Sequence, residues 1–100
     1  MSTPEKTRKA FVNYIKEDLY GDALALANLP GITDDLLRET IVDLLAIAND
    51  LDAELKARKH AVFVARSFFD QRESFKNDEK LSNDLLRAAC IVEPPLSPYL

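Results

Sequence analysis

Residues 33–70 carry an apolar repeat that no glycine or proline interrupts. Its members follow one another at alternating steps of four and three, and only Arg58 among them is polar: Leu37, Ile41, Leu44, Ala48, Leu51, Leu55, Arg58, Val62, Ala65 and Phe69. This spacing gathers the side chains into one stripe along an α-helix. Thr33 supplies a capping hydroxyl, and Asp34 and Asp35 place acids in the first turn. The pattern therefore predicts a long helix that begins after Thr33.

Shorter helices are predicted on both sides of this central helix. The first ends at Tyr20, before Gly21, and a second of about two turns ends at the Leu29-Pro30-Gly31 stop. The last begins at Asn77 or at Ser82, and Pro94 ends it. We predict an all-α fold, a small bundle of three to five helices with one long central helix. We expect residues 1–93 to form a single domain and residues 94–100 to form an extended, proline-rich tail.

The central helix is too long for a domain of this size. A straight helix over residues 34–70 would measure roughly 55 Å, whereas a domain of this length is about 35 Å across. Either the helix bends or breaks near residues 56–60, or it projects and packs against another chain. A second apolar face runs through Val64, Phe68 and Phe75. The other helices of the chain could cover this face, or it could be an interface with a partner.

Charge is distributed unevenly along the chain, whose net charge is −4. Residues 17–55 hold ten acids and one base, and residues 56–80 hold seven bases and four acids. On one continuous helix, five carboxylates would fall within an arc of about 100°. These residues, the predicted acidic strip, are Asp35, Glu39, Asp43, Asp50 and Glu54. The strip is either a solvated face or a surface that docks onto a basic protein, including one that normally holds nucleic acid.

The same asymmetry bears on self-association. Two copies of the long helix would align acids with bases only in an antiparallel arrangement, so we predict an antiparallel homodimer if this helix is the interface. Direct binding of nucleic acid is disfavoured, because a helix that follows a turn at residues 29–33 would present acids to the phosphates.

Residues that could carry chemistry are sparse. One histidine, His60, and one cysteine, Cys90, cannot form a zinc site, and no carboxylate adjoins His60 to orient it. Cys90 is expected to be a buried small hydrophobe. We predict no enzyme activity and no catalytic, metal or cofactor site. The sequence shows no signal-peptide pattern and no apolar run of membrane-spanning length, which favours a cytoplasmic protein without a membrane partner.

These features predict a non-enzymatic protein-binding module, a small acidic regulator or inhibitor that docks on a larger protein. Size and charge provide an analogy with accessory proteins of phages and mobile elements, such as anti-CRISPR inhibitors and antitoxins, which block nucleic-acid machinery. Two alternatives remain. One is a DNA-binding transcriptional regulator that uses the basic amino terminus and residues 56–80, and the other is a structural, self-assembling helical dimer.

Overall fold

The long apolar repeat forms two helices in the computed structural model, which describes residues 4–17, 19–29 and 31–92. Five α-helices and one 3-10 turn make up these ranges: α1 (Pro4–Lys16), α2 (Tyr20–Ala27), α3 (Asp34–Ala48), α4 (Leu55–Gln71), the turn Glu73–Phe75 and α5 (Glu79–Val92). The described residues contain no strand. The predicted all-α bundle of three to five helices is confirmed. The predicted extended tail, residues 94–100, lies outside the described residues.

The central helix breaks at residues 49–54, earlier than the predicted position at residues 56–60, which lie inside α4. Asn49 caps the end of α3, and the Asp50 carboxylate accepts a hydrogen bond from the backbone N–H of Asp52 at 2.9 Å. Asn and Asp compete in this way with helical hydrogen bonds, and they favour turns. The break shortens the helix to fit the domain, because α4 folds back along α3 instead of projecting from it.

Two arginines fix α3 and α4 as an antiparallel pair. At one end, Arg58 Nε donates to the carbonyl of Ala48, the last residue of α3, at 2.8 Å. At the other end, Arg72 Nη1 donates to Asp34 Oδ1 at 3.0 Å, and its Nη2 donates to the Ile32 carbonyl at 3.1 Å. Arg58, the polar member of the repeat, therefore caps the neighbouring helix. One acid–base pair of the kind predicted between two chains, Arg72 with Asp34, occurs here within one chain.

The hydrophobic core lies where α1, α3, α4 and α5 meet, with α2 packed against α1 and α4. Phe11 of α1 and Phe68 of α4 make an edge-to-face contact with ring centroids 5.2 Å apart. The apolar interface predicted at Val64, Phe68 and Phe75 is wrong, since all three side chains are buried in this core. The alternative, that the other helices of the chain cover this face, is confirmed.

The helix ends show which local signals act. Thr33 Oγ1 accepts from the Leu36 N–H at 3.1 Å, which confirms the predicted start of α3. Gly31 has a positive φ of 90° in the preceding turn. Gly21 lies inside α2, so the prediction that it ends the first helix is wrong. The last helix begins at Glu79, and the Asp78 carboxylate accepts from the Leu81 N–H at 3.1 Å, so Ser82 is not the cap.

Candidate functional site

The predicted acidic strip does not form a single line of side chains. Asp35, Glu39 and Asp43 follow one another at steps of four along α3. Asp50 and Glu54 lie beyond the end of that helix, in its connection to α4, where Glu54 is the residue before the first turn of α4. The structure therefore places three of the five carboxylates on one helix face and the other two on a separate loop.

The middle of the strip is bound to Arg8 of α1. Its guanidinium donates to both carboxylate oxygens of Asp43 at 2.8 Å, and its Nη1 lies 3.1 Å from Glu39 Oε2. The hydrogen bonds that Arg8 donates to Asp43 raise the pKa of Arg8 above its ordinary value, with smaller contributions from the charges of Asp43 and Glu39. A two-point arginine–carboxylate contact of this kind fixes geometry as well as charge. Glu39 and Asp43 therefore help to attach α1 to α3.

Other acids remain at the surface. The Glu39 side chain is 59% exposed despite its contact with Arg8. Asp35 on α3 is exposed, as are Asp50, Asp52 and Glu54 in the connection to α4. The exposed acids of this region are thus divided between α3, with Asp35 and Glu39, and the connection, with Asp50, Asp52 and Glu54.

A second surface feature is an apolar groove between α4 and α5, with a volume of about 600 Å³. Hereafter it is called the α4–α5 groove. Its α4 wall consists of Lys59, His60, Val62, Phe63 and Arg66, and its α5 wall consists of Leu85, Leu86, Ala89, Cys90 and Val92. Phe63 is 53% exposed and Leu86 is 51% exposed. Two large apolar side chains thus face solvent from opposite walls of one groove.

The helical period explains why α4 carries both the core and the groove. Lys59, Phe63 and Arg66 are spaced by four and three residues and share a face. Ala61, Val64, Ala65 and Phe68 occupy the opposite face, and all four are buried. The inner side of α4 therefore packs in the core of the bundle, and its outer side lines the exposed α4–α5 groove.

The chemistry of the groove lining distinguishes it from other concave parts of the surface. Lys59, His60 and Arg66 contribute basic groups, and no aspartate or glutamate is among its lining residues within the described chain. Three other concavities each include at least one carboxylate, from Asp43, from Asp50 and Glu54, or from Asp34 and Asp35. In a chain with a net charge of −4, the groove is a local region of positive and apolar character.

Cys90 lies at the groove and is exposed, which corrects the prediction that it is buried. Among the described residues there is no group of three or more histidine, cysteine, aspartate or glutamate side chains that could hold a metal ion. None of the helices formed by these residues combines the length and the apolar character that a membrane crossing requires.

Sequence reasoning did not single out the groove. Phe63 lies on neither of the two apolar faces that the spacing of α4 predicted, and a large aromatic residue off both faces was the available signal.

Comparison of the chain with protein-family models, with curated proteins and with solved structures finds no match.

Proposed function

We propose that this chain is a non-enzymatic protein-binding module, a small regulator or inhibitor that docks on a larger protein through the α4–α5 groove. The observation that carries the proposal is the pair of half-exposed side chains, Phe63 and Leu86, on the two walls of one apolar groove. Aromatic residues are enriched at protein interfaces, and a few side chains that become fully buried in well-packed pockets supply most of the binding energy.

Burial of these two side chains would contribute part of the binding free energy of an interface. Complete burial of a Phe or Leu side chain stabilises by about 1.5–3 kcal/mol relative to full exposure. Since each of the two side chains is about half exposed, a partner that covers them gains roughly 1 kcal/mol from each. Their neighbours Val62 and Ala89 extend the apolar contact between them.

The single cysteine allows a direct test of the groove. A photo-crosslinker attached to Cys90 lies at the groove and reacts with a protein seated there. We expect crosslinked species in a lysate of the native host, and we expect Phe63→Glu to abolish them. Val42→Glu is a matched control, because Val42 is similarly exposed but lies on α3. Crosslinking that survives Phe63→Glu, or that Val42→Glu abolishes equally, would remove the groove from the proposal.

A second candidate function uses the acidic surface to occlude a basic, nucleic-acid-binding surface of a partner. Its support is the exposed carboxylates of the connection, Asp50, Asp52 and Glu54, close together in the sequence. Opposite charges across an interface speed association and select partners.

Reversal of these three charges to lysine tests the second candidate without disturbing the Arg8 contact with Asp43. We expect the triple variant to keep its helicity in circular dichroism and to bind its captured partner less tightly than the parent chain at low salt, with the difference shrinking as salt rises. An unchanged affinity at low salt would leave these acids with a solvation role only.

A further inference from the structure

We propose that the occupant of the α4–α5 groove is an acidic amphipathic helix of another protein, which inserts an apolar stripe between the walls and places carboxylates against the basic groups of α4. This inference rests on the proposed function and names the chemistry of the partner. The charge of the lining, the length of the exposed face of α4 and the poor fit of a second copy support this choice of partner.

The charge of the lining selects an acidic partner. Lys59 and Arg66 lie about two helical turns apart on the face of α4 that holds Phe63, which lies between them. The Arg66 guanidinium is 3.9 Å from Asp70 on the same helix, and both side chains are more than half exposed. An exposed pair at this separation is weak. Arg66 can therefore exchange Asp70 for a carboxylate of the partner with little loss.

The net negative charge of the chain does not prevent this pairing. The Debye length at physiological salt is about 8 Å. Charges beyond that distance from the groove act weakly on a docked partner, whereas Lys59 and Arg66 lie in its wall. Asp70 lies within that range of Arg66, so the preference for an acidic partner requires that Lys59 and Arg66 outweigh it.

The extent of the apolar face selects a helix over a small ligand. Leu55 continues the row of Lys59 and Phe63 four residues earlier and is also exposed. From Leu55 to Arg66 this row spans about 16 Å, or three turns. A small molecule within the groove would leave the outer sides of these residues in water. An amphipathic helix of three or more turns covers the row on α4 together with Leu86 on the other wall.

A second copy of the chain fits less well. A symmetric pair formed through this face would place the same patch on itself. Lys59 and Arg66 of one copy would then approach the same residues of the other, and like charges across an interface are unfavourable.

The test uses synthetic helical peptides of about 18 residues, long enough to form helix in isolation. One peptide carries leucine at spacings of three and four with glutamate on both flanks, and its matched control carries lysine in place of every glutamate. Binding to the intact chain is measured by fluorescence anisotropy. We expect the acidic peptide to bind at least about tenfold more tightly than the basic one, and Phe63→Ala to weaken it by about tenfold.

The decisive measurement repeats the peptide titrations after the charges in the groove are reversed. The double variant Lys59→Glu, Arg66→Glu should invert the preference, so that the basic peptide binds more tightly. Equal affinity for both peptides, or binding of neither, overturns the acidic-helix inference. So does a concentration-dependent doubling of mass that Phe63→Ala abolishes, which would identify a second copy as the occupant. If removal of residues 93–100 is needed for the peptide to bind, the chain's own segment is the occupant, and the inference is likewise overturned.

Failure of this inference is distinguishable from failure of the proposed function. If neither peptide binds but crosslinking from Cys90 still depends on Phe63, the groove binds a protein of different chemistry. If the crosslinks are absent as well, the groove has no protein partner and both proposals fail.

Discussion

Replacement of each glycine by alanine should change stability in opposite directions. Gly21 lies in α2, and a Cβ added there meets no atom within 4 Å. Gly21→Ala should therefore stabilise by about 0.5–1 kcal/mol through helix propensity and lower unfolded-state entropy. Gly31 has a φ of 90°. A left-handed alanine costs about 1–2 kcal/mol, and the entropy gain of about 0.4–1 kcal/mol offsets part of it. Gly31→Ala should therefore destabilise by about 1 kcal/mol.

Urea denaturation followed by circular dichroism measures both changes. A separation of about 1.5–2 kcal/mol corresponds to midpoints roughly 1 M apart, for the slopes usual in small domains. The double variant serves as a control, and its midpoint should return close to that of the parent chain, since distant substitutions add. Equal destabilisation by Gly21→Ala would refute the reasoning. It would show that Gly21 holds the left-handed conformation that the sequence predicted at the end of the first helix.

Four further substitutions test the packing by urea denaturation. Arg72→Met should cost about 2–3 kcal/mol, because the Ile32 carbonyl loses the Arg72 donor and the Asp34 carboxylate is left with the Ser74 hydroxyl; a cost below about 0.5 kcal/mol, roughly that of an exposed arginine, would contradict this. Thr40→Val should be neutral or slightly stabilising, because the buried hydroxyl donates to a carbonyl that the helix already bonds; a loss above about 1 kcal/mol would assign the hydroxyl a larger role. Phe68→Ala should cost about 3–5 kcal/mol and Phe63→Ala under about 1 kcal/mol; similar costs would place Phe63 in the core.

Local signals in the sequence were sufficient for the fold class and for the start of α3. Thr33 caps that helix through its own hydroxyl, an interaction between residues three apart in the chain. The first half of the apolar repeat, from Leu37 to Ala48, is buried as its period requires. Short-range chemistry and helical period determine these features, so the sequence predicts them without knowledge of the neighbours.

The break at residues 49–54 could not be located from the repeat alone. Leu51 and Leu55 keep the correct spacing, yet both are exposed, and Leu51 is 78% accessible. The helix ends there because packing of α4 on α3 stabilises the chain more than the extra hydrogen bonds of one continuous helix would. Asn49, Asp50 and Asp52 are turn-forming residues and indicate the position of the break. Whether such residues end a helix depends on tertiary contacts, which cannot be read from the sequence.

The candidate sites were harder to predict for the same reason. Arg8 and Asp43 are 35 residues apart, and only the packing of α1 on α3 brings them together. The α4–α5 groove likewise needs two helices, so Phe63 and Leu86 carry no joint signal along the chain.

The basic segment of residues 56–80 divides its arginines between folding and surface contact. Arg58 and Arg72 point toward α3, where they bond the Ala48 carbonyl and the Asp34 carboxylate. Arg66 lies on the wall of the α4–α5 groove instead, because its position in the helical period sets it on the outer face. Loss of Arg72 should therefore reduce the free energy of unfolding. Loss of Arg66 should leave stability nearly unchanged and reduce affinity for an acidic partner. The charge asymmetry of the chain thus stabilises the α3–α4 pair through Arg58 and Arg72, whereas Arg66 stays exposed at the groove.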